Sequence, residues 1–182
     1  MALVRLTIDG FGQLELNNAA FRRDGRVEAQ CALSEDFSEA IPAENGMLLA
    51  VDNIAREVRF AEAAEKMPIA LHYSAEHMYD ERKQGLKHFS LVPGTVLPRM
   101  GYLSVGDKFT TNTVCYDNTE FNAENLFIEA LDAINTTKLY GTSCENGAIK
   151  VTKTEPTQGI KLLVIKKTTM PDGQLGIKFQ VL

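Results

Sequence analysis

Short runs in which apolar and polar residues alternate recur along this chain, and this period of two predicts β-strands. The clearest region is residues 97–115, where a β-prone run from 98 to 105 is followed by a second run from 108 to 115. Gly106-Asp107 separates the two runs, and such a break favours a tight turn. The sequence therefore predicts an antiparallel hairpin over 97–115.

Two more hairpins are predicted where glycine-containing turns separate alternating runs. Gly10-Phe11-Gly12 would join residues 2–9 to 13–16, and Asp24-Gly25 would join 19–23 to 26–33. Asp-Gly suits a two-residue hairpin because both positions tolerate positive φ. Similar breaks bound the remaining predicted strands, which lie at 47–51, 57–60, 69–73, 138–143, 148–154, 159–169 and 175–182.

One segment, residues 123–135, has the three- and four-residue spacing of an amphipathic helix, set by Leu126 or Phe127, Ala130, Leu131 and Ile134. Asn122 is predicted as its N-cap, and Glu124 places a favourable negative charge in its first turn. Strands outnumber helices, so the fold class is predicted as mainly β, an antiparallel sandwich or barrel of about ten short strands with one or two short helices.

Residues 1–182 are expected to form a single β-rich domain, because no repeat, low-complexity tract or linker divides the chain. If the chain forms two lobes, they would meet near residues 85–97. This two-lobe alternative rests only on the position of residues 85–97 in the chain, since the composition does not change there.

Composition then narrows the classes of function. Hydrophobic residues make up 45% and charged residues 24%, which is typical of a soluble globular protein. The net charge of −5 disfavours a nucleic-acid partner, which requires a basic surface. No apolar run approaches the ~20 residues of a membrane span, and the first residues lack the pattern of a signal peptide. We expect a soluble protein, made in a cytoplasm, with no membrane partner.

One stretch of the chain is rich in the residue types that commonly bind metal ions: His72, Glu76, His77, Asp80, Glu81 and His88. If Ser74 caps a short helix through 83, ended by Gly85, some of these side chains share a face four residues apart. No metalloprotease-type or comparable ligand spacing is present. A solvated helix face is therefore the favoured interpretation, and no metal site is predicted.

The cysteines, Cys31, Cys115 and Cys144, are too few and too scattered for a metal cage or a disulfide framework, and are expected to be reduced, buried fillers. Cys115 as a nucleophile would need a histidine and a carboxylate brought to it, and Ser143-Cys144 is no stronger a candidate. The two glycines around Phe11 do not form a phosphate cradle. No catalytic residue and no cofactor are predicted, and we expect that the protein is not an enzyme.

Turn and strand propensities account for the other polar residues. Asp107, Glu145 and Asp172 lie beside glycines, where a short side chain caps the backbone of its own turn. Residues 110–113, Thr-Thr-Asn-Thr, would suit an exposed polar ladder for partner or sugar contact, although strand propensity explains them more simply.

Three islands of sequence resemble a family of structural proteins: Glu44-Asn45-Gly46 with the apolar run to Asp52, Leu97-Pro98-Arg99-Met100-Gly101-Tyr102 continuing to Asn112, and Met170-Pro171-Asp172-Gly173 continuing to Val181. The chain is similar here to the capsid auxiliary, or head-decoration, proteins that tailed phages and prophages encode near the major capsid gene. The resemblance covers about a third of the chain and leaves out the first forty residues and the 123–135 helix.

The resemblance implies a virion structural protein that binds the outside of the capsid and reinforces it. Its partner would be the major capsid protein, and it would act as a homo-oligomer. An open arm at residues 1–16 could reach the shell. One alternative is a β-sandwich module that binds glycan or a host surface through Tyr102 and Tyr116. A small β-barrel enzyme using the residues between His72 and His88 ranks third.

Overall fold

The computed structural model describes residues 3–62, 65–74 and 85–182, and these form a mainly β protein. The strands are β1 (Leu3–Arg5), β2 (Leu14–Glu15), β3 (Val27–Glu28), β4 (Ala32–Leu33), β5 (Ala43–Glu44), β6 (Leu48–Asp52), β7 (Glu57–Phe60), β8 (Ile69–His72), β9 (Ser90–Leu91), β10 (Met100–Gly101), β11 (Lys108–Thr111), β12 (Val114–Asp117), β13 (Tyr140–Ser143), β14 (Ile149–Thr152), β15 (Leu162–Thr169) and β16 (Leu175–Val181). The helices are α1 (Asn118–Phe121), α2 (Glu124–Asp132) and a 3₁₀ turn, Leu86–His88.

Two large sheets build the body, which confirms the predicted fold class. The eight-stranded sheet has the order β1-β12-β14-β13-β15-β16-β11-β2, the six-stranded sheet has the order β3-β10-β8-β6-β7-β4, and β5 pairs with β9 alone. Most neighbours are antiparallel, but β12–β14 and β4–β7 are parallel, so both large sheets are mixed. Several strands are only two residues long, too short to stand out as alternating runs, and the structure therefore has more strands than the sequence predicts.

The two large sheets contribute to a shared hydrophobic core, as in a β-sandwich. Leu48 and Leu71 from the six-stranded sheet and Phe109 and Phe179 from the eight-stranded sheet belong to this first core. On β6 the side chains alternate, so that Leu49, next to Leu48, lies in a second core on the other face of the six-stranded sheet. Burial on both faces explains why residues 47–51 are continuously apolar.

The hairpin predicted over residues 97–115 is wrong. Strand β10 pairs with β3 and β8 in the six-stranded sheet, whereas β11 pairs with β16 and β2 in the eight-stranded sheet. Gly106 does lie in a turn, at φ +94°, but the turn passes the chain from one sheet to the other. A period of two fixes which residues share a face, and it does not fix which strand is the partner.

The hairpin predicted around Gly10-Phe11-Gly12 is also wrong. Strands β1 and β2 pair with β12 and β11, at opposite edges of the eight-stranded sheet. The intervening residues 6–13 run between these two edges. The expected open arm at 1–16 is therefore anchored in the sheet through β1 and β2, and this expectation is wrong for the described part of the arm.

At Asp24-Gly25 the turn is present, with Gly25 at φ +71°, but the predicted hairpin is not. After this turn, β3 pairs with β10 and β4 pairs in parallel with β7. By contrast, the strands predicted on either side of the turns near 146 and 172 pair directly, as β13 with β14 and β15 with β16.

The predicted helix is confirmed as α2, with Phe127 and Leu131 buried and Leu126 exposed. Its predicted N-cap is wrong, because Ala123 occupies that position and Asn122, at φ 63°, ends α1. The predicted helix after Ser74 lies outside the described residues. No helix among the residues that the structure describes is long and apolar enough to cross a bilayer.

Candidate functional site

Five residues from separate parts of the chain, Arg5, Gly12, Glu44, His72 and Ser74, form a mostly buried polar group that we call the Glu44–His72 cluster. Glu44 ends β5, and His72 ends β8 in the six-stranded sheet. The cluster thus collects strand ends from different sheets.

Both oxygens of the buried Glu44 carboxylate are occupied. Arg5 Nη1 donates to Oε1 at 2.6 Å, and Arg5 Nη2 donates to Oε2. The backbone N–H of Gly12 also donates to Oε2. A carboxylate held by a guanidinium and a backbone amide is charged and compensated, so Glu44 serves as an anchor for the segment that contains Arg5 and Gly12.

The imidazole of His72 has a defined tautomer. Its Nδ1 lies 2.8 Å from the Glu44 carbonyl oxygen, which can only accept, so Nδ1 carries the proton. Its Nε2 accepts from the Ser74 hydroxyl at 2.7 Å, and Ser74 Oγ in turn accepts from the Arg99 backbone N–H at 2.8 Å. Complete burial lowers the pKa of His72 to about 4, so the ring is neutral near pH 7.

The Ser74–His72 contact has the geometry of a hydroxyl and base pair, the arrangement that activates a serine nucleophile. Two features oppose that role. The third partner is the Glu44 peptide carbonyl, which gives an imidazolium less support than a carboxylate does. A base with a pKa of about 4 also takes up a proton poorly near neutral pH. The pair therefore acts as a structural tie that joins β8 to the segment at Arg99.

Sequence reasoning missed this pair because it grouped His72 with acidic residues that follow it in the chain. On a strand, residues two apart share a face, so His72 and Ser74 carried a usable signal. Their partner Glu44 lies 28 residues earlier, and no local pattern identifies it.

Residues 110–113 do not form an exposed ladder, since all four are buried. Thr111 Oγ1 donates to the Gln13 carbonyl at 2.7 Å, and Thr113 Oγ1 donates to the Asn45 carbonyl at 2.5 Å. Asn112 Oδ1 accepts from the Gln13 N–H at 2.7 Å, while Asn112 Nδ2 is buried with no hydrogen-bond partner. These side chains hold the segments around Gln13 and Asn45 against β11.

The other described histidine, His88, belongs to a different place. It is exposed and lines a cavity of about 210 Å³ with Gln13, Gly85, Leu86, Lys87, Pro171 and Asp172. Burial opposes ionisation of Asp172, but hydrogen bonds from Gln174 and Gln13 prevail and lower its pKa. The ammonium of Lys87 is paired with Asp9. The two charged side chains that line the cavity, Lys87 and Asp172, are thus each engaged by a neighbouring side chain.

Glu76, His77, Asp80 and Glu81 of the sequence-derived metal candidate lie outside the described residues. Within the described ranges, no group of three His, Cys, Asp or Glu side chains converges to hold a metal ion. Of the remaining acidic candidates, Asp107 and Asp172 cap their own turns as predicted, Asp172 by accepting from the Gln174 N–H at 3.1 Å. For Glu145 the prediction is wrong, because the Asn146 side chain, and not the exposed Glu145, accepts from the Ala148 N–H in that turn. Asp107 accepts from the N–H groups of Ala20 and Ser104, at 3.0 and 2.9 Å.

Two cysteines that the sequence presents as scattered lie side by side. The Sγ atoms of Cys115 and Cys144 are 3.2 Å apart, and both residues are buried. The burial expected for them is confirmed, and the fold brings two of the three scattered cysteines into contact. Strands β12 and β13 both pair with β14, and this arrangement brings together residues 29 positions apart.

The aromatic face expected from Tyr102 and Tyr116 is not formed. Tyr116 is buried in the first core and stacks on Phe127, with ring centroids 4.8 Å apart. Tyr102 packs on the second core. The two rings therefore belong to different layers of the protein.

No family model matches the chain, and no curated protein or solved structure is significantly similar to it.

Proposed function

We propose that this chain is a virion structural protein that binds the outside of a phage capsid as a decoration protein, with the major capsid protein and further copies of itself as partners. The observation that carries the proposal is a contrast within the molecule. The buried Glu44 and His72 side chains are engaged in ties between strands, whereas several large apolar side chains project into solvent, and three of them lie at one end of the sandwich. Such a molecule works through its shape and its surface.

Three exposed apolar residues, Ile54, Val105 and Leu182, define what we call the loop end. Strands β6 and β10 both run antiparallel to β8, so the loops that follow them emerge at the same end of the six-stranded sheet. These loops carry Ile54, which is 98% exposed, and Val105, which is 79% exposed. The C-terminal Leu182 is adjacent, since the Gly106 N–H donates to the Val181 carbonyl at 2.9 Å.

Single exposed apolar residues are common on protein surfaces, but three at one end of the sandwich suit contact with a flat lattice. Each contact can be weak, because copies that also contact each other bind a repeating shell with avidity. If copies of this chain form a closed oligomer around a symmetry axis of the capsid, the number of copies in the oligomer matches the symmetry of that axis. The resemblance of three sequence islands to head-decoration proteins suggests the same role.

The test is co-sedimentation of the purified protein with empty capsids assembled from the major capsid protein of the genome that encodes the chain. Bound copies should saturate at a number that matches the lattice symmetry. The double variant Ile54→Asp/Val105→Asp should weaken binding by roughly tenfold or more, since it removes apolar contact area and adds charge.

Val96→Asp is the matched control, because Val96 is also an exposed valine, at 62%, but precedes β10 and so lies at the other end of that strand. It should bind capsids as the unmodified protein does. Absence of capsid binding by the folded protein would overturn the proposal, and glycan-array binding together with indifference to capsids would establish the alternative sandwich-module function instead.

A further inference from the structure

Cys115 and Cys144 form a buried dithiol on the outer side of the eight-stranded sheet. Val114 and Tyr116 point into the first core, so Cys115 between them points the opposite way. There it joins Cys144 and Ala148 in a small separate cluster, against which Leu3 packs. The thiols are the polar centre of this cluster, with their sulfur atoms 3.2 Å apart.

We propose that this pair is a site of oxidative modification, at which a peroxide converts the two thiols into an intramolecular Cys115–Cys144 disulfide. The sulfur atoms are already in contact, and a bond length of about 2.05 Å requires them to approach by only about 1 Å. Cys144 directly follows β13 and opens the turn to β14, so it lies outside the paired residues of the sheet. The third cysteine, Cys31, belongs to the second core and has neither of the other two cysteines in its cluster.

The two sulfur atoms are not equivalent. A hydrogen bond from the Cys115 thiol lowers the pKa of Cys144, and the backbone N–H of Asn146 and the ammonium of Lys150 act in the same direction, against burial. The pKa of Cys115 is raised by its hydrogen bond with Cys144 and by burial. Cys144 Sγ also faces two acceptors, Asn146 Oδ1 at 2.9 Å and the Ala148 carbonyl at 3.1 Å, to which its thiol can donate. Because Cys144 lies next to the exposed Glu145 and Cys115 lies within a strand, Cys144 is the sulfur that peroxide reaches first.

In the first step the Cys144 thiolate attacks one oxygen of hydrogen peroxide, which gives a sulfenic acid after the O–O bond breaks and hydroxide leaves. In the second step the Cys115 sulfur attacks the Cys144 sulfur. The S–S bond forms, the S–O bond breaks, and the departing hydroxide takes the Cys115 proton as water. In total, two thiols and one hydrogen peroxide give one disulfide and two water molecules.

The new bond would join β12 to the β13–β14 turn and close a loop between residues 29 positions apart. Cross-links of this kind stabilise chiefly by restricting the unfolded chain. We expect the melting temperature to rise by roughly 5–15 °C on oxidation. This inference depends only on the cysteine geometry and not on the proposed capsid role.

The test is to treat the folded, reduced protein with hydrogen peroxide and then to block the remaining thiols with an alkylating reagent in denaturant. We expect two of the three cysteines to escape alkylation, a monomer on a non-reducing gel, and a protease-generated peptide that links Cys115 to Cys144. A reductant should restore three alkylated cysteines and the original melting temperature.

Cys31→Ala should give the same cross-link with no cysteine left to alkylate, whereas Cys144→Ala should give none. Three alkylated cysteines after treatment, oxidation of Cys31 instead, or a disulfide between two chains would each overturn the proposal. Because the unmodified protein provides the main measurement, a variant that fails to fold does not affect the conclusion.

Discussion

The Arg5 guanidinium and the Glu44 carboxylate form a bidentate ion pair that connects two sheets with no backbone pairing between them. Arg5 ends β1 at the edge of the eight-stranded sheet, and Glu44 ends β5, whose partner is β9. Glu44 is 3% exposed. The backbone amide of Gly12 remains its other donor, so the carboxylate depends on Arg5 for its opposite charge.

Replacement of Arg5 by methionine should therefore destabilise the protein, because it leaves a buried carboxylate without its cation. Loss of one partner of a fully buried pair costs about 3–5 kcal/mol, and since the Arg5 side chain is 36% exposed, we expect a lower value, about 2 kcal/mol. Urea denaturation measures the change. Arg23→Met is the control, because the Arg23–Asp24 pair is on the surface and should contribute nothing measurable. Equal stability of the two variants would show that Glu44 does not depend on Arg5.

The sequence was informative where strand partners are close in the chain. The β13–β14 and β15–β16 pairs follow from alternation on either side of a turn, and the apolar run of β6 follows from burial on both faces. Residues 97–115 have an equally clear pattern, yet β10 and β11 belong to different sheets. Alternation indicates a strand and its buried face, and the partner depends on distant segments that compete for the same edge.

The same limit explains what could be predicted of the candidate site. Histidine at position 72 was recognised as chemically interesting, but its hydrogen-bond partner is the carbonyl of Glu44. Cys115 and Cys144 were each recognised as buried, but their contact depends on the parallel pairing of β12 with β14. Parallel pairing has no short-range signature, and β5, which ends at Glu44, does not pair with β8, which ends at His72. Neither contact could therefore be inferred from spacing.

Gly46 should tolerate no side chain. It has φ +84°, and a Cβ there would lie 2.0 Å from Thr111 Oγ1, which is itself held by the Gln13 carbonyl. Positive φ and overpacking together should make Gly46→Ala destabilising by about 3 kcal/mol or more. Gly25→Ala isolates the backbone contribution, because Gly25 has φ +71° and nothing within 4 Å of the added Cβ. Gly25→Ala should lower the free energy of unfolding by about 1–2 kcal/mol. Thermal or urea denaturation measures both variants, and a larger loss of stability for Gly25→Ala than for Gly46→Ala would contradict the packing argument.

The burial of His72 makes a prediction about pH. Its pKa is about 4 in the folded protein, below the value of about 6.5 in an unfolded chain. Between these values the unfolded state binds the proton and the folded state does not, so stability should fall as the pH falls. The slope should approach about 1.4 kcal/mol per pH unit, or about 2 kcal/mol between pH 7 and pH 5.

Urea denaturation at several pH values in this range measures the slope. His72→Gln should reduce it, whereas His88→Gln, which changes an exposed histidine, should preserve it. An NMR titration gives independent support, since the His72 ring resonances should move by only about a tenth of their full titration shift between pH 7 and pH 5. A ring that titrates near pH 6.5 in the folded protein would refute the neutral, buried assignment.

Packing of α2 rests on Phe127. Its ring stacks on Tyr116 with centroids 4.8 Å apart and meets Phe121 edge-on at 5.2 Å. Phe127→Ala removes both contacts and leaves a cavity, so we expect a loss of about 4 kcal/mol. The neighbouring Leu126 is 41% exposed, and Leu126→Ala should cost less than about 1 kcal/mol. The sequence spacing is compatible with either Leu126 or Phe127 at the buried position. Denaturation of the two variants distinguishes these alternatives. A larger loss of stability for Leu126→Ala would mean that the helix packs on the core through the face that carries Leu126.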